Sequence, residues 1–550
     1  MIKNFLNSIK SNKFRSNASK VYNLIKQPND PKGVIFFMSL GKYNFTAIQV
    51  LLSLTLKSHG WASVFLDVDY IEGQETNIKE IDQFINSYRY CRKSLEQQDT
   101  YIESVGMLSD DESVDILNRT QFKISYKKSK FEWKGDLIDN NFLTCNGYDF
   151  HEAFNQRIGR LQHRMNLIKD KKYELFLSGC KKQTEATLFL CDKIYQDLIV
   201  KKNLPIRFIG RDPHFIPSNI FAVYCDSNKK NIKKSMMQII NGDYNDNITR
   251  TGLYPDQSLV NLINLQKDNK IFNFSVDRKY EDFKKSNRNK NINSDDIKNK
   301  IFGTTNSLSN NKNIPIEVRN KISKYKNGKI FGLFGKVIYD RKFLYHDRGV
   351  VHDNMQHWLK DTVDFFANND ENLLILRPHP QDDPSISGPW GVANEKMFDL
   401  VKIPKVDNIV LLNTRNMNTK DFLSLIDVGL CWIGSVINEL LLNSKPTLIM
   451  SEWAMSEFRE LGLDKIKSIK EYHNYLKTGC YRISPEMIKN ITLYWYYNNY
   501  VQPIETQNIM DGKKKYLSIP KFVATNNSLS QFLQSENAKK IVTAFDLYSE

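Results

Sequence analysis

Arg377-Pro378-His379-Pro380 combines two side chains that can bind anions with two prolines that stiffen the backbone. These residues directly follow the apolar run 372–376, which is typical of a buried strand. The prolines favour an extended backbone, so Arg377 and His379 are held at fixed places. A guanidinium and an imidazole presented in this way suit a phosphate group. The alternative is that His379 packs within a rigid turn and touches no ligand.

A second group, Gly434, Ser435 and Glu439, lies where the predicted strand 428–434 meets the predicted helix 435–443. A helix that opens with Gly and Ser offers backbone N–H groups and a positive dipole end to an anion. Glu439 follows Ser435 by one turn on the same face, where its carboxylate can accept hydrogen bonds from both hydroxyls of a ribose. Taken singly, Ser435 is equally an ordinary N-cap and Glu439 a solvated helix residue. Together with the Arg-Pro-His-Pro strand, they favour a nucleotide site.

Gly332, Gly335 and Asp340 form a third group, at the start of the second half of the chain. Glycines let a backbone approach a ligand closely, and Asp340 would lie at the mouth of the same loop. A plain β-turn accounts for these residues almost as well.

The elements that would position these groups alternate along the second half. Short apolar runs are followed by stretches whose apolar residues recur at helical spacing, and Thr419 suits the N-cap of one helix. This alternation predicts an α/β fold with a doubly wound sheet. The predicted strands lie within 329–340, 372–380, 408–413, 428–434 and 446–450, and the predicted helices are 351–369, 419–427 and 435–443.

The first half begins with a similar pattern. A strand (33–40), a helix (45–60) and a second strand (61–70) predict a βαβ unit with parallel strands. The mostly polar span 75–170 is predicted to be helical, most strongly at 151–170. Further along, 174–179 and 206–210 are predicted as strands and 184–202 as a helix.

A change of composition predicts the division of the chain. Residues 281–328 are rich in Asn, Ser and Lys and poor in apolar residues, which is typical of an exposed linker; a surface loop inside one domain is the alternative. The predicted parts are a basic lead-in (1–30), an acceptor-side Rossmann-like domain with a helical insertion (31–280), this linker, a nucleotide-sugar-binding Rossmann-like domain (329–500) and a helical tail (501–550).

Composition narrows the functional classes. A hydrophobic content of 41% in 550 residues supports packed cores, and no apolar run approaches the roughly 20 residues of a membrane span. The N-terminus lacks the pattern of a secretory signal, so a cytoplasmic location is expected. The net charge of +16 favours an anionic neighbour such as lipid headgroups at the inner face of the membrane, whereas no nucleic-acid recognition module is visible. The seven cysteines lack the spacing of a zinc or redox site and are expected to be reduced, mostly buried thiols.

Four segments between residues 329 and 455 carry a family resemblance: LFGKVIYD, DNMQHWLKDTVDFF, LLILRPHPQ and LIDVGLCWIGSVINELLLNSKPTLIM. In order and spacing they resemble the C-terminal half of bacterial capsule polysaccharide biosynthesis glycosyltransferases, a broad group that includes the capsule Kdo transferases. The match covers under a third of the chain. The segment 336–340 departs from the pattern, since a small or amide residue and Trp would be expected there, which puts the role of Asp340 in doubt.

The resemblance implies a GT-B fold, in which two Rossmann-like doubly wound domains face each other across a cleft. It implies that the second domain holds a nucleotide-sugar donor, with His379 and Ser435 at the phosphate and Glu439 at the ribose, and that the first binds a saccharide or lipid-linked glycan acceptor. It also implies a metal-independent transferase without a cofactor.

An inverting sugar transfer needs a base for the acceptor hydroxyl, which we expect from the first domain. The candidates follow predicted strands of that half: Asp212 and His214, then Asp67, Asp69 and Glu72. Three other functions stay open. They are a teichoic-acid-type polyol-phosphate transferase, a nucleotide-sugar epimerase, and a non-catalytic nucleotide-binding scaffold of the assembly machinery.

Overall fold

The computed structural model describes the following residues: 24–25, 28–38, 52–66, 129–139, 142–164, 166–210, 218–226, 232–236, 238–242, 250–254, 278–287, 315–338, 349–382, 394–413, 419–434, 436–452, 455, 463, 466–479, 483–497, 510–511, 521–522 and 524–547. The chain divides into two compact units. The first comprises Met1–Ile158, Leu167–Asp268 and Gln502–Glu550, and the second comprises Gly159–Asn166 and Asn269–Val501.

The first unit contains a four-stranded parallel sheet. The predicted βαβ pattern is confirmed in its described parts, since two paired parallel strands flank a helical stretch at 52–57. Gly60 ends that stretch at a φ of 87°, a conformation that favours glycine. The sheet order is β2-β1-β6-β7. Its strands are β1 (Val34–Met38), β2 (Ala62–Leu66), β6 (Ile206–Gly210) and β7 (Ile232–Met236).

A small antiparallel sheet corrects the prediction of helix throughout 75–170. Its strands are β3 (Trp133–Asp136), β4 (Phe142–Cys145) and β5 (Tyr148–Asp149). β4 and β5 are joined at Asn146 and Gly147, whose φ values of 50° and 84° both lie in the left-handed region. Asn-Gly is the preferred pair for such a turn, so this dipeptide was the missed signal. The helix predicted at 151–170 is confirmed only in its first part, as α1 (His151–Gln162), because His163 has a φ of 53° and the described residues from there to Asp170 are not helical.

The strand predicted at 174–179 is also wrong, because those residues belong to the helix α2 (Lys171–Ile194). Asp170 caps this helix by accepting a hydrogen bond from the Tyr173 amide. Buried side chains then recur every three or four residues, at Phe176, Leu177 and Cys180 and onward. The short window ELFLSG concealed that period. A π-helical turn continues the helix through Tyr195–Val200, and α3 (Ser218–Asp226) follows β6. A two-stranded antiparallel sheet, β8 (Gln238–Gly242) and β9 (Arg250–Tyr254), completes the described strands of this half.

The second unit contains a five-stranded parallel sheet of order β12-β11-β10-β13-β14. In chain order this is 3-2-1-4-5, the arrangement of a doubly wound sheet, so the predicted alternation is confirmed. The chain adds strands on one side of β10 and then on the other, and the order therefore reverses between β10 and β13. The strands are β10 (Ile330–Phe334), β11 (Leu373–Arg377), β12 (Ile409–Leu411), β13 (Val428–Cys431) and β14 (Thr447–Ile449).

Helices flank this sheet, and two glycines in its strands allow close packing. A Cβ on Gly332 would lie 2.8 Å from an Ile426 side-chain atom, and one on Gly429 would lie 2.7 Å from Leu440. The absence of a side chain at Gly332 thus leaves room for the packed side chains of Ile426 and Phe422. The helices around the sheet are α6 (Met355–Asn368), α7 (Thr419–Leu425), α8 (Val436–Leu442), α9 (Ile469–Thr478) and α10 (Pro485–Tyr496).

The described ends of the predicted linker are helical. They form α4 (Arg278–Ser286) and α5 (Ile316–Lys324). Val318 belongs to the core of the second unit, and the Phe283 ring lies 5.2 Å from that of Tyr497. Both ends are therefore packed. Residues 288–314 lie outside the described residues, so the linker there stays a prediction.

A polar cluster joins α9 to α6 within the second unit. The Tyr472 hydroxyl accepts a hydrogen bond from Trp358 Nε1 at 2.8 Å and bonds to Thr362 Oγ1 at 2.6 Å. Beside it, Asp361 accepts hydrogen bonds from Nε2 of both His352 and His473, each at 2.9 Å. Nothing in the sequence pattern marked these residues as partners.

The described part of the tail contains helices, as predicted. They are α11 (Asn526–Leu533) and α12 (Glu536–Leu547), preceded by the short pair β15 (Met510–Asp511) and β16 (Lys521–Phe522). The five described cysteines are free, and four of them are buried, as expected: Cys145, Cys180, Cys191 and Cys431, with Cys225 half-buried. No helix in the described ranges is long and apolar enough to cross a bilayer.

Candidate functional site

The predicted donor residues of the second unit follow neighbouring strands. Arg377 ends β11, Gly335 follows β10 and Gly434 follows β13. Because these strands are parallel, their carboxyl ends meet at the same edge of the sheet, and β10 and β13 flank the point where the strand order reverses. Open α/β sheets bind ligands outside that point. The sequence-predicted groups are therefore brought together at the edge where a ligand is expected.

The turn after β11 is held by a reciprocal pair of hydrogen bonds. The His379 amide donates to Asp382 Oδ2 at 3.1 Å, and the Asp382 amide donates to the His379 carbonyl at 2.9 Å. A 3₁₀ turn spans Pro380–Asp382, and the His379 side chain is half-buried. This geometry fixes the backbone from which the imidazole projects.

Asp382 was not singled out from the sequence. Its side chain is 4% exposed, and its buried Oδ1 atom has no hydrogen-bond partner in the part of the chain that the structure describes. Burial raises the pKa of its carboxyl to about 6, and the nearby charge of Lys396 opposes that rise. A turn-forming acid three residues after His379 was the signal that would have found it.

Gly335 packs directly beneath this turn. Its amide donates to the Arg377 carbonyl at 2.7 Å, and a Cβ at this position would lie 2.8 Å from the His379 nitrogen and 3.0 Å from the Arg377 oxygen. The structure thus gives Gly335 a role in seating the turn. Contact between Gly335 and a donor stays a prediction.

Gly335→Ala is expected to destabilise the protein by about 1–3 kcal/mol and to weaken nucleotide binding, because backbone atoms cannot move aside as a flexible side chain would. Chemical denaturation and ligand titration measure the two effects. Gly179→Ala is the control, since Gly179 lies within α2 and a Cβ added there would have nothing within 4 Å; that change is expected to stabilise by about 0.5–1 kcal/mol. Equal stability of the two variants would contradict this role for Gly335.

Arg377 is held by groups of its own unit. Its guanidinium carbon lies 5.9 Å from the ring centre of Phe334 and 5.7 Å from that of Phe422, and its Nη2 donates to Thr419 Oγ1 at 3.1 Å. Burial lowers its pKa to about 10, and the charge of Glu439 opposes that change. Thr419, predicted as an N-cap, is the first residue of α7 and serves as an acceptor for Arg377.

Glu439 is buried, which excludes the alternative that it is a solvated helix residue. Its side chain is 4% exposed, and among the described residues Oε2 has no hydrogen-bond partner. Burial raises the pKa of its carboxyl to about 7, although the charge of Arg377 acts in the opposite direction. Glu439 also contributes, after burial, to the raised pKa of the Cys431 thiol at the end of β13. An unpartnered buried carboxylate oxygen is costly, and it is the expected state of an acceptor awaiting a hydrogen-bond donor.

Gly434 begins the turn into α8 with a φ of 146°, a backbone conformation that side-chain-bearing residues rarely adopt. The other predicted site residues lie outside the described residues. They are Ser435 and Asp340 in the second half of the chain, and Asp212, His214, Asp67, Asp69 and Glu72 in the first half. The structure therefore brings Arg377, His379, Gly335, Gly434 and Glu439 to one edge of the sheet, and the functional roles of all the predicted site residues stay predictions.

Within the described ranges, no group of three or more His, Cys, Asp or Glu side chains is arranged to hold a metal ion. Comparison of the chain with models of protein families found no match. Comparison with curated proteins found no similar sequence either.

Proposed function

We propose that the protein is a glycosyltransferase of GT-B type that transfers a sugar from a nucleotide-activated donor to a growing capsular or other cell-surface polysaccharide. One observation carries the proposal: the Glu439 carboxylate is buried near Arg377, with an oxygen that no described residue bonds, at the edge where the strand order of the second sheet reverses. A nucleotide suits such an edge, because its ribose hydroxyls can donate hydrogen bonds to the carboxylate and its phosphates can accept hydrogen bonds from the groups nearby. The family resemblance of residues 329–455 supports the same ligand class.

In this proposal the acceptor hydroxyl oxygen attacks the anomeric carbon, and the bond from that carbon to the donor phosphate breaks. The departing phosphate gains negative charge, which His379 and the backbone N–H groups that follow Gly434 stabilise. The acceptor proton passes to a base of the first half, for which Asp212, His214 and Asp69 are the candidates. No metal ion or cofactor takes part.

The acceptor is a saccharide or lipid-linked glycan. The net charge of +16 supports peripheral contact with the anionic inner face of the cell membrane, with the bulk of the protein in the cytoplasm. Nucleic acid is not part of the proposal.

The test incubates the purified chain with CMP-, UDP-, GDP- and CDP-activated donors and follows nucleotide release. His379→Ala is expected to lower the rate about 10²–10³-fold, because one group that stabilises the leaving phosphate is removed. The control is His357→Ala, an exposed histidine on α6 that pairs with Asp353, and it is expected to stay within about twofold of the unmodified rate. If a well-folded chain turns over none of the sugar donors, the transferase proposal fails. Turnover of CDP-linked polyols alone would favour the polyol-phosphate transferase.

A further inference from the structure

Arg377 lies at the predicted phosphate position, yet its guanidinium is engaged by groups of the protein itself. Two phenylalanine rings, Phe334 and Phe422, lie within 6 Å of the guanidinium carbon, at 5.9 and 5.7 Å, and Thr419 accepts from Nη2 at 3.1 Å. Contacts from two different elements, β10 and α7, therefore fix the side chain. A side chain fixed in this way cannot readily move to contact a phosphate group. It holds its positive charge at one place in the site.

The charged group on which Arg377 acts is Glu439. The two charges influence each other, whereas the Glu439 Oε2 atom forms no hydrogen bond with any described residue. Arg377 thus stabilises the carboxylate without occupying that oxygen. Glu439 also interacts with the Cys431 thiol, which is buried and has a raised pKa.

We propose that Arg377 is a positioning residue for the nucleotide: its positive charge stabilises the Glu439 carboxylate, whose Oε2 atom stays available to the ribose hydroxyls, and it does not bind the phosphate. This inference rests on the proposed function, because it presupposes that Glu439 contacts a nucleotide. The sequence position of Arg377 beside His379 indicates a phosphate contact, whereas this inference assigns Arg377 an action on Glu439.

The two tasks differ in their pH dependence. If Arg377 acts through Glu439, its removal raises the pKa of a carboxyl that already has a pKa of about 7. Each further unit of rise lowers the charged fraction of Glu439 at neutral pH by up to about tenfold, and alkaline pH restores it. If Arg377 instead contacts the phosphate, alkaline pH does not restore the lost affinity. A nucleotide phosphate has a second pKa of about 6, so it is already about nine-tenths ionised at pH 7 and gains little charge up to about pH 9.5.

The experiment measures the affinity of CMP, UMP and GMP by calorimetry between pH 7 and 9.5, for the full chain and for Arg377→Met. We expect Arg377→Met to weaken binding about fivefold or more at pH 7 and less than about twofold at pH 9.5. Arg377→Lys, which keeps the positive charge, is expected to recover much of the affinity at pH 7. In a Glu439→Gln background, Arg377→Met is expected to change the remaining affinity less than about twofold, since the group through which it acts is gone.

A loss that is the same at every pH, or no loss at all, overturns the proposal. A large additional loss in the Glu439→Gln background overturns it as well, because Arg377 would then contact the nucleotide directly. If the unmodified chain binds none of the three nucleotides, the proposed function fails, and this inference fails with it. That outcome is distinguished from the others before any variant is made.

Discussion

Glu439→Gln is expected to weaken nucleotide binding about 10–100-fold and, at the same time, to stabilise the fold at pH 8 by about 1–3 kcal/mol. Glutamine has nearly the same shape as glutamate but carries no charge, so the ribose loses its ionic acceptor. The gain in stability follows from the burial that raises the pKa of Glu439 from 4.5 to about 7. Between these values the native protein keeps a proton that the unfolded chain has released, so the free energy of unfolding falls as pH rises from 4.5 to 7 and stays at the lower level above it.

Denaturant unfolding at several pH values, together with calorimetric titration of nucleotides, checks both parts. The control is Glu371→Gln, an exposed glutamate in the turn before β11, which is expected to change stability by less than about 0.5 kcal/mol at any pH. Asp382 contributes to the same pH dependence, because burial raises its pKa to about 6. In Glu439→Gln the free energy of unfolding therefore depends less steeply on pH than in the unmodified chain, but some dependence remains. A variant that is less stable than the unmodified chain at pH 8 would show that Glu439 is a structural residue.

The opposite signs of these two effects follow from the chemistry of the site. A residue that contributes only to the fold is stabilising where it lies, and its removal costs stability. A buried carboxylate with an unpartnered oxygen costs stability and is retained where a ligand completes its hydrogen bonds.

The second sheet could be predicted from the sequence because its signals are local. Each buried strand is a run of apolar residues, as at Leu373–Arg377, and each following helix shows its own period. The residues after these strands were correctly expected to lie at one edge, since parallel strands share their carboxyl ends. The Arg-Pro-His-Pro turn follows one of these strands, and the sequence alone left open whether His379 contacts a ligand or only packs in the turn.

What could not be predicted depends on contacts between distant residues. The position of Arg377 in the sequence suggested a phosphate ligand, but its environment is set by Phe334 and Phe422, which lie 43 and 45 positions away in the chain. The burial of Glu439 likewise depends on how α8 packs on β13, where Gly429 makes room for Leu440. In the first half, the Asn146-Gly147 dipeptide is a local signal for a turn between two strands. The polar composition of the surrounding span instead favoured a long helix.

The histidine pair on Asp361 is the clearest case of a partnership that sequence spacing conceals, and it supports the second of the large predictions. Asp361→Asn is expected to destabilise the second unit by about 2–4 kcal/mol at pH 7, because an amide offers one acceptor oxygen to two histidine N–H groups. Burial acts to raise the pKa of Asp361, but the hydrogen bonds from His352 and His473 outweigh it and hold the pKa below its ordinary value. Such a carboxylate contributes stability that is fully present above its unfolded-state pKa and is lost as pH falls through the lower folded-state value. The stability difference between the two chains should therefore shrink as the pH falls below about 4.

The matched control for this effect lies one turn further along the same helix. Asp364 is exposed and pairs with Lys360, so Asp364→Asn is expected to cost less than about 0.5 kcal/mol. Both variants remove one carboxylate charge from α6, and any difference between them measures what the two histidines add. His473→Gln and His352→Gln then divide that difference, with the larger loss expected at His352, whose side chain is 5% exposed, than at His473, whose side chain is 36% exposed. Equal melting temperatures for Asp361→Asn and Asp364→Asn would show that the bridge adds nothing to the packing of α9 on α6.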